Sequence, residues 1–302
     1  MEGIFVGNSS GAVMAGVMQL ADRLTVNDVV VAIFHDHGTR YLGKISAAFY
    51  LVVDLLGRQS NRLTKEDRVN ILWLNLATAG NWAGLFLALK YLSPPVISAL
   101  FAGCIPVATL LVNRSLRSKS SLTIADWIST GLLFGCTVIW SSVNVTALSG
   151  SGAAIGLAYV VLSSFTIAST TVLSKRLADA KIPTSKIMGH RFYVLIAVSY
   201  LMSSPAHELI NLVERNYEVL FMVAAIGTIL CLWLLQKGIE KCEPVLTEVV
   251  IATSPVITLS LYAVLVGPTT IEFDTVVLSI AVVAIAIFHV SYQYKQDSMG
   301  AK

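Results

Sequence analysis

Charge is what this sequence has least of. Asp, Glu, Lys and Arg together make up 13% of its 302 residues, against about 25% in an average soluble domain. So few charges cannot furnish a water-facing surface, which excludes an ordinary soluble globule. The formal balance is only +3, which excludes the broad basic face that nucleic-acid binding requires. Cysteine is rare too: Cys104, Cys136, Cys231 and Cys242 form no CxxC pair and adjoin no cluster of metal-ligating residues. No disulfide framework or zinc site is expected, and the thiols are read as small buried apolar groups. No nucleophile–base arrangement emerges, so an enzyme is not expected, nor is a bound metal or cofactor. A secretory signal is also missing, because Met1-Glu2 opens with an acid and the first apolar run is short and rich in Gly and Ser.

What is present is apolar sequence. Hydrophobic residues make up 55% of the chain and the mean hydropathy is +0.74. About 20 apolar residues in a helix cross the ~30 Å hydrocarbon core of a bilayer. Eight segments meet or approach that length: 69–89, 96–113, 127–146, 153–174, 187–204, 219–236, 244–266 and 275–293. Gly, Ser and Thr spread through them allow close helix packing where lipid offers no hydrophobic drive. The connecting loops alternate in charge. Arg58, Arg62, Lys65 and Arg68 fall in one; Arg114, Arg117 and Lys119 in another; then come Lys175, Arg176, Lys181, Lys186 and Arg191, later Lys237 and Lys241, and finally Lys295 and Lys302. The intervening loops carry only Lys90 and Arg215. The positive-inside rule places the first set and the C-terminus in the cytoplasm, and the plasma (inner) membrane is the expected location.

The chain also repeats itself. Pro95-Val96-Ile97-Ser98 runs eleven residues to Pro106-Val107, and Pro244-Val245-Leu246-Thr247 runs eleven to Pro255-Val256. The two copies enter the membrane from opposite sides, the pattern of an inverted repeat with a substrate site between its halves. Pro106 and Pro255 fall mid-span, where each removes a backbone donor, so each predicts either a kink or a broken backbone lining a cavity. With these prolines, the basic loop before His190-Arg191-Phe192 and the repeated halves, residues 46–302 resemble an EamA-type member of the drug/metabolite transporter superfamily. The resemblance implies a ten-helix bundle with both termini inside, of which the eight spans are helices three to ten. It makes residues 46–57 the truncated end of helix two, leaves helix one missing, and divides the transporter into halves 46–150 and 151–302.

Residues 1–45 read differently. Gly3 to Val6 is a short buried-strand pattern, followed by Gly7-Asn8-Ser9-Ser10-Gly11, an amphipathic helix to about Arg23, and a second strand pattern from Val29 to Phe34. This β-α-β fragment, with His35-Asp36-His37-Gly38-Thr39-Arg40 after it, resembles the C-terminal end of the cysteine synthase/cystathionine β-synthase family. The resemblance implies that Ser9 matches a serine that bonds the ring nitrogen of pyridoxal phosphate. The Schiff-base lysine and phosphate loop of that family have no counterpart here, so no cofactor binding is expected. The junction is read as a fusion of unrelated pieces.

Polar residues within spans are costly and tend to face the bundle interior. Asn75, Asn81 and Trp82 are therefore the leading substrate-pathway candidates, with Pro106 and Pro255 beside them. Glu248, a full turn inside its span, is either a proton or cation site or the partner of a base such as Arg191, and pairing is preferred. Ser163, Ser164, Thr166, Ser169 and Thr170 are expected to bond back to their own helix, and His289 is placed at the membrane interface. The expectation is an all-α, polytopic inverted-repeat bundle of eight full spans plus one truncated span. Its expected work is secondary transport, as export, of a small polar metabolite of amino-acid-like chemistry by alternating access. The rival is an inserted but transport-inactive fusion product. Expected partners are the lipid bilayer, that metabolite and, as one option, a second copy of the chain.

Overall fold

Two threonine–aspartate boxes start helices at one end of the bundle. The Asp67 amide donates to Thr64 Oγ1 at 3.2 Å, and the Thr64 amide donates to Asp67 Oδ2 at 2.9 Å. These bonds satisfy amides that a helix start would otherwise orphan, and α1 follows as Lys65–Ala88. Thr123 and Asp126 repeat the box ahead of α3, Ile124–Val143. The computed structural model describes residues 50, 52, 63–92, 94–117, 122–143, 152–201, 229–254, 256 and 273–300. Within them lie also α2 (Pro94–Leu116), α4 (Ala153–Asp179), α5 (Thr184–His190), α6 (Tyr193–Leu201), α7 (Cys231–Lys241), α8 (Pro244–Ile251) and α9 (Phe273–Gly300). There is no strand among the described residues. The expected β-α-β fragment at 1–45, with Ser9, lies outside them.

Among the described residues, five helices are long and apolar enough to cross a membrane: α1, residues 96–116 of α2, 124–142 of α3, α4, and 276–296 of α9. Their outward faces carry Trp73, Ile139, Leu162 and Ile280, each more than half exposed, an arrangement stable in hydrocarbon and costly in water. The inward faces form separate cores. Leu110, Leu133, Val245, Val249, Val282 and Ile285 join α2, α3, α8 and α9, while Ile71, Leu74, Leu173 and Leu177 join α1 to α4. Close approach is built in at Gly103 on α2, where an added Cβ would lie 2.4 Å from Thr137 Oγ1 on α3.

The eight uninterrupted spans expected from hydropathy are corrected in two places, and a third lies partly outside the described residues. The segment 187–204 divides into α5 and α6 at Arg191-Phe192, because the buried side chain of Asn75 satisfies the backbone on both sides of the break. Its Nδ2 donates to the His190 carbonyl and its Oδ1 accepts from the Val194 amide at 3.3 Å. In the segment 219–236, α7 begins at Cys231, and residues 219–228 lie outside the described set. In the segment 244–266, α8 ends at Ile251 and passes through turns at Ala252 and Thr253, with Thr253 N donating to Val250 O at 3.1 Å and Val256 N to Thr253 O at 3.0 Å, before helical backbone returns at Ser254 and Val256. Pro106 sits inside an unbroken α2. The truncated span at 46–57 is described only at Tyr50 and Val52.

The turn after α4 brings the chain back into the bundle. Lys181 takes a φ of 59°, its amide donates to Ala178 O at 2.8 Å, and the Ile182 amide donates to Leu177 O at 3.1 Å. This is a Schellman closure, and Ile182 then packs on Leu177 in the core. It sets α5, and hence Arg191, against α1 and α4.

Candidate functional site

The site grows from four elements. On α1, Asn75, Thr78 and Trp82 follow helical spacing and share one face. Thr78 is buried and donates its hydroxyl to Leu74 O at 2.8 Å. From the α5–α6 break, the buried Arg191 turns inward, and its Nε donates to Thr78 Oγ1 at 3.2 Å. Its guanidinium lies 5.8 Å from the Phe192 ring centroid and makes no other hydrogen bond among the described residues. On α8, Glu248 is 2% exposed and accepts through Oε1 from the hydroxyl of Thr171 on α4. Arg191 and Glu248 interact through space without forming a direct ion pair, so the expected Arg191–Glu248 pairing is met only as a field. The centre holds one cation and one anion, apart, each steadied by a threonine hydroxyl.

Asn75 lies beside this centre, and its amide is committed to the helix break and to Ile71 O at 2.9 Å. Asn81 sits further along α1 and faces α4, where Ser163 Oγ donates to its carbonyl and side-chain oxygens, both at 3.1 Å. Trp82 is partly buried, with its ring centroid 6.0 Å from that of Phe86, and packs on the cluster of Tyr50, Met188 and Phe192. Pro106 is buried within α2, and Pro255 lies outside the described residues. Of the α4 hydroxyls, Ser164, Thr166, Ser169 and Thr170 bond back to their own helix, and Ser163 reaches across. None of the four cysteines is in a disulfide, and Cys231 is exposed and the others half-buried, so they are not the fully buried groups expected.

A second polar centre was not legible in the sequence. His289 on α9 is fully buried within the bundle, and its Nε2 lies 3.1 Å from Asp126 Oδ1. The other carboxylate oxygen accepts from the Thr123 amide at 2.6 Å and the Thr123 hydroxyl at 2.9 Å. The signal was the box Thr123-x-x-Asp126, which brings the carboxylate back over the start of α3. At the same end of the bundle, Arg117 bridges Asp179 at 2.7 Å and Glu243 at 2.6 Å, joining α2 and α4 to the residue ahead of α8. A cavity of about 720 Å³ opens beside it, lined by Lys181, Thr184, Trp233, Lys237 and Glu240 among others.

The comparisons bear on this geometry. No curated protein matches the chain. A solved crystal structure of a protein, 17% identical, aligns over 92% of this chain and 93% of its own with a TM-score of 0.62, which is a likeness of fold. Nothing found supports the cysteine synthase resemblance of residues 1–45. Residues 154–291, from α4 through most of α9, match the model of the EamA-like transporter family. Together with five helices fit to cross a bilayer and a paired-charge centre among them, that match points to an integral membrane transporter of the drug/metabolite type.

Proposed function

We propose that this protein carries out secondary transport of a small polar metabolite, as export, by alternating access. The observation that carries the reading is the separated Arg191 and Glu248 inside an apolar bundle. A buried charge is costly without a close partner, and here the guanidinium and the carboxylate each retain binding capacity. A substrate bearing both a carboxylate and an ammonium would complete them, which is the chemistry of an amino acid. Thr78 and Thr171 would hold the two charges in place, and Asn81 and Trp82 would extend the path along α1. The proline repeat supports two inverted halves, with α2 and α8 as counterparts. The alternating basic loops support a cytoplasmic C-terminus and a plasma-membrane location, with the Arg117 network on the cytoplasmic face.

Counterflow of labelled L-alanine in proteoliposomes containing the full chain tests the reading. Exchange above protein-free vesicles is expected, with loss of at least roughly tenfold on Glu248→Gln or Arg191→Gln, the scale of one lost charge-assisted contact. If the intact chain exchanges no zwitterion, the rival holds: a protein that inserts in the membrane and moves nothing.

A further inference from the structure

Gln236 on α7 is fully buried, and neither its Nε2 nor its Oε1 has a hydrogen-bond partner among the described residues. A buried, unpartnered amide carries the full desolvation cost of both ends, and buried polar groups in folded proteins are otherwise almost always paired. An apolar residue of that size would fit the position without the cost. Ser174 on α4 shows the same anomaly: it too is fully buried, and its Oγ is unpartnered.

Both residues fall within about one helical turn of the level of the charged centre, by two independent registers. The first runs between α4 and α7, which pack together and end at the same face of the bundle. Lys175 Nζ donates to Glu240 O at 3.0 Å. Lys175 Nζ also reaches Asp179 Oδ1 at 3.3 Å, so Glu240 stands about one turn beyond Lys175, and Gln236, one turn back along α7, comes level with Ser174 and Lys175, a turn from Thr171, which holds Glu248. The second runs through the turn between α7 and α8. Gln236 lies five residues before the end of α7 and Glu248 four after the start of α8. At 1.5 Å per residue these are about 7.5 and 6 Å from the turn. Ser174 stands three residues from Thr171, on the same helix face. Trp233 and Lys237, which flank Gln236 on α7, line the 720 Å³ cavity.

We propose that Gln236, with Ser174 beside it, forms a side-group subsite of the Arg191–Glu248 centre and selects substrates that carry a hydroxyl or amide. This assignment rests on the transport reading above. The two charges hold the carboxylate and ammonium that all amino acids share and so cannot discriminate among them. A neutral donor–acceptor pair is what reads the variable part. Sites that must hydrogen-bond a substrate group discriminate strongly against analogues lacking it, because their own polar atoms are then left bare.

The test uses proteoliposomes holding the full chain and counterflow of labelled L-alanine, L-serine and L-glutamine. The intact protein is expected to favour L-serine or L-glutamine over L-alanine by roughly tenfold in kcat/KM. Gln236→Met, close in shape and without the amide, is expected to erase that preference while leaving L-alanine exchange in place. Ser174→Ala is expected to reduce it less. A preference unchanged in Gln236→Met overturns the assignment, and so do equal losses for all three solutes or an intact protein that favours L-alanine. An intact protein that moves none of them overturns the transport reading, and the subsite falls with it. Gln236→Asn, which keeps both polar ends one methylene shorter, guards against a folding defect: it is expected to retain part of the preference, and a loss equal to that of Gln236→Met in folded protein overturns the assignment.

Discussion

The bundle buries two pairs of opposed ionisable side chains, and it treats them in opposite ways. At Asp126 and His289 the groups stand 3.1 Å apart, and the carboxylate's remaining oxygen is used by Thr123. At Glu248 and Arg191 the groups are held apart, each by a different helix's hydroxyl. The first pair spends its electrostatics on joining α3 to α9, whereas the second keeps them for something that is not part of the chain. Burial alone therefore does not mark a binding site. The mark is burial of two opposed groups that do not meet: Asp126 and His289 close on each other at 3.1 Å, whereas Arg191 and Glu248 form no direct pair, and that distinction separates a strut from a receptor.

Breaking the strut gives the largest effect on stability. Asp126→Ala leaves His289 buried without its partner and also strips the α3 cap, so thermal unfolding in detergent is expected to show a loss of about 3–5 kcal/mol. Exchange per folded molecule is expected to stay near normal, whereas Glu248→Gln does the reverse. If Asp126→Ala abolishes exchange in folded protein, the contrast between the two centres fails. Gly103→Ala probes the packing that supports both: a methyl group 2.4 Å from Thr137 Oγ1 is expected to cost about 1–3 kcal/mol by the same measurement. Thr171→Val sharpens the comparison from the receptor side. It removes the hydroxyl from Glu248 at nearly constant shape and is expected to lower exchange roughly tenfold, with little change in unfolding. The smallest effect is expected at Lys181, whose positive φ is strained for a side-chain-bearing residue. Lys181→Gly is expected to raise stability by up to about 1 kcal/mol, with exchange unchanged.

The sequence reveals what depends on local composition and conceals what depends on contacts between distant residues. Apolar runs located α1, α2, α3, α4 and α9, because hydropathy is a property of neighbours along the chain. The break at Arg191-Phe192 was hidden, since the segment is apolar throughout and the group that stabilises its interruption is Asn75, 115 residues away. Asn75 was correctly singled out as costly in a span, but its role in the backbone needed the fold. The partner of His289 was hidden for a related reason: Asp126 was counted as lying before its span, and so no buried carboxylate was in view. Glu248 and Arg191 were linked from sequence, but the two threonines that keep them apart were not. The α4 hydroxyls were legible because back-bonding is local, except at Ser163, which meets Asn81.

Asn75 also changes how the bundle can move. A continuous helix is a stiff rod, and any tilt at one end is carried to the other. Where α5 gives way to α6, the rod is cut and rejoined through a single planar amide that grips the strands of chain on both sides. Such a splice bears load along the axis yet yields to torsion about it. Arg191 sits at the cut, so a small swivel of α6 redirects the guanidinium while α5 and its neighbours stay still.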